Sequence, residues 1–160
     1  MRANKGFTLI ELMIVVAIMG IFATMALPQY GMQYSRGKMD EAIGLGDIAK
    51  KSIQAYYLEH VSFPKDNSSA NLPEPNKLIG NYVESVEISK GAIHMQVGNK
   101  LGGVLSGKLI SLRPVVVSGS PESPISWICG YDSPVEGMQV IGENKTNIPK
   151  EFLPARCRGI

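Results

Sequence analysis

The longest apolar run in the chain lies at its start. From Phe7 to Leu27, 21 positions are apolar apart from Thr8, Glu11, Gly20 and Thr24. Coiled as a helix, such a run is about 30 Å long, the thickness of a bilayer core. A short polar segment, Met1 to Gly6, precedes it and carries Arg2 and Lys5. The positive-inside bias holds this end in the cytoplasm and sends the remainder across the membrane. Pro28 removes a backbone donor and crowds the preceding turn, so a kink is expected there. Residues 29–58 then keep a helical period. Met32, Ser35, Met39, Ala42, Ile43, Gly46, Ala49, Ile53 and Tyr57 fall on one stripe, with Arg36, Lys38, Glu41, Asp47, Lys50, Lys51 and Gln54 largely off it. This is the pattern of an amphipathic helix that covers a sheet.

After this helix the period changes. Residues 61–81 are rich in Pro, Asn and Ser and read as a loop. Strand-like runs follow at Tyr82–Ile88, Ala92–Val97, Lys108–Leu112 continuing to Val117, and Ser126–Gly130. Ile93, Met95 and Val97 alternate with His94 and Gln96, as in a half-buried strand. Gly98-Asn99 and Gly102-Gly103 mark turns. One long helix followed by several strands predicts an α+β fold with an antiparallel meander.

Composition narrows the function classes. The chain has 160 residues, 44% apolar and 19% charged, which suits a foldable domain plus an appendage. Its formal net charge of +2 is accounted for by Arg2 and Lys5, so the rest balances to zero and carries no overall basic signal for nucleic acid. Paired metal ligands, a phosphate loop and a nucleophile motif are all missing from the sequence, so no metal, cofactor or enzymatic activity is expected. His60 and His94 are isolated and read as surface or edge residues. Asn67-Ser68-Ser69 and Asn144-Lys145-Thr146 match the glycosylation acceptor pattern by chance. Cys129 and Cys157 are too far apart for a redox Cys-x-x-Cys.

Glu11 sharpens the reading of the N-terminus. A signal peptide cleaved after Ala26 and a plain membrane anchor are both open readings, but neither gives the carboxylate a purpose. A charge within a membrane helix costs about 2.5–3.5 kcal/mol and is a functional suspect by default. Cleavage between Gly6 and Phe7 would place a new amino group one helical turn from Glu11. Lys5-Gly6-Phe7-Thr8-Leu9-Ile10-Glu11-Leu12, continuing through Met13 to Ile18 and on to Pro28-Gln29-Tyr30, resembles the processing signal of type IV prepilins.

That resemblance implies a leader at 1–6, a long helix at 7–58 with its membrane and filament-core part at 7–27, and a globular head at 59–160. The implied fold is the pilin fold: a long N-terminal helix packed on an antiparallel sheet, closed by a C-terminal disulfide-bounded loop. It also implies cleavage after Gly6 by a prepilin peptidase, N-methylation of Phe7, assembly roles for Glu11 and Pro28, and insertion by the inner-membrane pilus machinery. Other copies of the chain would be its partners in an extracellular filament serving adhesion, twitching motility or DNA uptake. With export, Cys129 and Cys157 are expected to form a disulfide, stabilising the domain by about 3–4 kcal/mol. Two other functions are open: a minor competence pilin that binds DNA through Lys145, Lys150, Arg156 and Arg158, and a type II secretion pseudopilin. The cysteine pair favours a pilus.

Overall fold

A computed structural model describes residues 6–159, except the side chains of 26–32. The expected roles of Arg2 and Lys5, and the side chains of Pro28, Gln29, Tyr30 and Met32, therefore lie outside the described residues. The architecture is α+β. Helix α1 spans Leu9–His60. It is followed by strands β1 (Val83–Ser89), β2 (Ala92–Val97), β3 (Leu109–Val117), β4 (Ser126–Cys129) and β5 (Met138–Val140). The chain divides into two compact units, Met1–Tyr34 and Ser35–Ile160. The division falls inside α1, so the second half of the helix belongs with the sheet rather than with the N-terminal segment.

In the first unit every described side chain from Gly6 to Met25 is exposed, including Phe7 at 82% and Leu9 at 77%. Among the described residues, no helix is long and apolar enough to cross a membrane.

In the second unit the helical stripe is buried as its period requires: Met39, Ala42, Ile43, Ala49 and Ile53 are each at most 3% exposed. Gly46 lies on the same face, where a Cβ would stand 2.6 Å from Leu112 Cδ1 and 3.1 Å from Met95 Sδ. The glycine lets the helix approach β2 and β3. Val61, in a left-handed conformation (φ 50°), follows the helix end, and its N–H bonds to Tyr57 O at 2.8 Å.

The sheet is antiparallel in the order β1-β2-β3-β4, and β5 also pairs with β3. The partners of β3 change along its length. Leu109 to Leu112 pair with β2, Leu112 to Val115 with β4, and Val115 to Val117 with β5. Pro114, which has no N–H to give, lies between the end of the β2 pairing and the start of the β5 pairing. Its carbonyl accepts Ile141 N–H at 2.9 Å.

One expectation needs correction, and one strand was not predicted. Strand β5 carries no apolar alternation strong enough to predict it: its three residues depend on β3 for pairing. His94 is not at a surface or edge. It is 2% exposed, because chain 141–148 crosses the second face of β2 and β3. The alternation of β2 is therefore not an in/out pattern, and all its residues except Gln96 are buried. His60 is exposed, as expected, stacking on Tyr56 with ring centroids 4.1 Å apart.

Candidate functional site

The N-terminal site starts at Thr8, the residue before the first helical position. Its hydroxyl accepts the Glu11 N–H at 3.4 Å, while Glu11 Oε2 accepts the Thr8 N–H at 2.9 Å and the Thr8 hydroxyl at 2.7 Å. Thr-x-x-Glu is a capping box, which satisfies backbone donors that the first turn leaves without partners. The carboxylate also sits at the positive end of the helix dipole. Glu11 is thus turned back toward the chain start, within one turn of Phe7. The sequence reading missed the part played by Thr8, although its three-residue spacing from Glu11 was there to be read. Gly6 and Phe7 are both exposed and precede the helix, so the peptide bond between them lies in non-helical chain.

The C-terminal region is closed by the Cys129–Cys157 disulfide, with Cα atoms 4.6 Å apart. Cys129 ends β4, and Cys157 ends a single 3-10 turn, Ala155–Cys157. Gly130 follows at φ 59°, and a Cβ there would stand 2.6 Å from Cys157 O. This close approach explains the glycine beside the cysteine. Tyr131 N–H bonds to Cys157 O at 2.9 Å and so continues the contact between the two ends. Both cysteines are buried, and Leu153 is fully buried beside them. Trp127 and Phe152 pack against the core, partly buried.

The four basic residues considered for DNA are engaged within the domain. Arg156 pairs with Asp40 at 2.8 Å, and Lys145 lies 3.9 Å from Glu87. Lys150 stands over the Tyr131 ring at 5.6 Å, and Arg158 Nε donates to Leu153 O at 2.8 Å. Two of the four are thus matched by carboxylates, and the group does not form an unopposed basic surface of the kind phosphate binding requires.

Asn67 has a role that the sequence did not disclose. It is 5% exposed; its amide donates to Pro73 O and Val86 O, and its oxygen accepts Ile88 N–H at 2.7 Å. The side chain ties the 61–81 loop to β1 and is closed to glycosylation in this fold. Among the described residues, no group of three or more acidic, His or Cys side chains could hold a metal.

Comparison with known proteins agrees with these two features. Residues 35–158 match the pilin family of bacterial filaments, and residues 1–27 match the prokaryotic N-terminal methylation motif. The chain is 35% identical to a fimbrial protein of Neisseria meningitidis serogroup B, over 97% of this chain and 94% of that one. It is 36% identical to the type IV major pilin protein PilE1 of Neisseria gonorrhoeae, over 97% and 87%. It is 33% identical to the fimbrial protein EcpC of Eikenella corrodens, over 98% and 92%. With a methylation motif at its start, a long helix laid on an antiparallel sheet, and a disulfide-closed C-terminus, the chain belongs to the type IV pilin family.

Proposed function

We propose that this chain is a structural subunit of a type IV pilus, made as an inner-membrane prepilin and assembled through residues 7–27. A pilin is a filament protein rather than an enzyme, and its principal partners are further copies of itself. The finer steps rest on physical argument. Gly6–Phe7 is the proposed cut, exposed and ahead of the first helical turn, where a peptidase can reach extended backbone. Phe7 would be N-methylated. The membrane stage rests on the apolar run Phe7–Leu27, whose last two side chains, Ala26 and Leu27, lie outside the described residues. In the proposed domain layout, residues 1–6 are the leader, and Pro28 would bend the helix where its membrane part ends.

The observation that carries the proposal is an apolar helical segment, exposed at every described residue up to Met25, with a single carboxylate at its start. Exposed apolar surface on this scale needs a cover, first lipid and then neighbouring helices. In such a bundle Glu11 must find a cation, and the freed amino group of a neighbour's Phe7 is of the right charge. A misregistered subunit would bury an unpaired carboxylate, which costs several kcal/mol. The test is Glu11→Ala alongside Glu11→Gln, scored for leader removal, membrane fraction and sheared filament yield. Both variants should reach the membrane, and both should give few filaments. Normal filament yield would refute the pairing. Retention in the cytoplasm would refute the anchoring order.

A further inference from the structure

Behind the sheet, the imidazole of His94 is almost completely enclosed. Its Nδ1 lies 2.9 Å from Ser111 Oγ on β3. Its buried Nε2 has no hydrogen-bond partner among the described residues. Ser111, itself fully buried, is the point at which the C-terminal chain is attached. Its Oγ accepts Lys145 N–H at 2.9 Å, and its N–H donates to Thr146 Oγ1 at 3.0 Å. Leu109 and Asn147 exchange two further bonds beside it. The covering segment 143–148 lies inside the disulfide loop.

We propose that His94 and Ser111 form an acid-sensitive latch, which holds segment 143–148 on the sheet at neutral pH and releases it when the ring is protonated.

The argument is one of donors and charge. A neutral ring has one donor nitrogen and one acceptor; a protonated ring has two donors. Ser111 Oγ can accept from both Nδ1 and Lys145 N–H, so the cost of protonation falls on Nε2, where a charged N–H meets no acceptor among the described residues. Burying a charge without full pairing is costly. The charged groups around the ring partly offset one another. From β1, Glu87 is paired directly across from His94. From the covering segment come Lys145 and Glu143. From β3, Arg113 follows two residues after Ser111 and donates to Gly130 O and Asp132 O. Glu87 lies 3.9 Å from Lys145, so its charge is shared. The net direction agrees: burial first and Lys145 second hold His94 below the ordinary imidazole range, against Glu87 and Glu143. The closed state thus takes up its proton later than the open one. The contribution of the neutral ring to closure is fully present above the ordinary imidazole pKa of 6.5 and is progressively lost as pH falls from there through the depressed folded value.

The test is amide exchange on the full chain in detergent micelles at about pH 7.5 and about pH 5, spanning the histidine range. Rates are normalised to an unstructured peptide of the same sequence. Protection of the Lys145 amide should fall several-fold in acid, by up to about tenfold for each unit of pKa displacement, while β1 and α1 amides keep theirs. In His94→Gln, whose side chain can bond Ser111 without titrating, the acid effect should disappear. Equal normalised protection at both pH values, or an undiminished acid effect in His94→Gln, would overturn the latch. So would a loss spread evenly over the sheet. If His94→Gln does not fold, the imidazole titration followed by NMR in the unaltered protein decides. Proton uptake coinciding with loss of Lys145 protection supports the latch; uptake at a different pH refutes it.

Discussion

Gly44 and Gly46 lie two residues apart on α1, and the structure gives them opposite characters. Replacing glycine by alanine in a helix interior gains roughly 1 kcal/mol from backbone entropy. At Gly44 a new Cβ meets nothing within 4 Å, so Gly44→Ala should stabilise the head by about that amount. At Gly46 the same Cβ would stand 2.6 Å from Leu112 Cδ1 and 3.1 Å from Met95 Sδ. Met95 is fully buried, and Leu112, 1% exposed, has room only toward the cleft it lines with Ile43, Gly44 and Trp127, so a Cβ at Gly46 forces both side chains to shift. Overpacking of this kind costs about 1–3 kcal/mol, which offsets or exceeds the helical gain. The variants should therefore differ in stability by about 1–3 kcal/mol, Gly46→Ala being the weaker. Urea titration followed by the fluorescence of Trp127, the single tryptophan, measures the difference. At the melting midpoint it corresponds to a Tm gap of several degrees, since about 1 kcal/mol shifts Tm by about 2–8 °C in domains of this size range. If the two alanine variants agree within about 0.5 kcal/mol, helix–sheet contact at Gly46 is not what the glycine is for.

Three further outcomes can be measured directly. Replacing Cys129 and Cys157 together by serine should cost about 3–4 kcal/mol in urea unfolding, and reduction of the unaltered protein should reproduce most of that shift. Asn67→Ala leaves Ile88 N–H, Pro73 O and Val86 O without their partner, which predicts a loss of about 2–4 kcal/mol and a loop at 61–81 that proteases cut readily. Thr8→Val removes the hydroxyl of the capping box while keeping the side-chain shape, so the first turn should fray and the Leu12 amide, bonded to Thr8 O, should exchange faster.

Periodicity made α1, β2 and β3 legible, because long runs repeat one spatial rule many times. Met39, Ala42, Ile43, Ala49 and Ile53 could be assigned to one face before any partner was known. Strand β5 was not legible: three residues give no period, and its existence depends on the end of β3 that β2 does not reach. His94 was misread for a related reason. Alternation identifies which residues share a face, but it does not tell whether a later part of the chain will return to cover that face. The candidate site divides in the same way. Gly6, Phe7 and Glu11 form a local motif, visible as consecutive letters. Asn67, Ser111 and His94 take their roles from chain separated by 17 to 35 residues, and nothing nearby in sequence reveals it.

By itself, then, the sequence determined the apolar segment, its lone carboxylate, the helical stripe and the α+β order, since each depends on interactions within a few turns or on hydrophobic period alone. The tertiary structure decided which face of β2 is covered, why Gly46 is a glycine, where Asn67 is tied, and how the disulfide loop is fastened to the sheet. These depend on contacts between distant segments. Their partners are chosen by packing and hydrogen-bond completion in the folded chain, which local pattern does not encode.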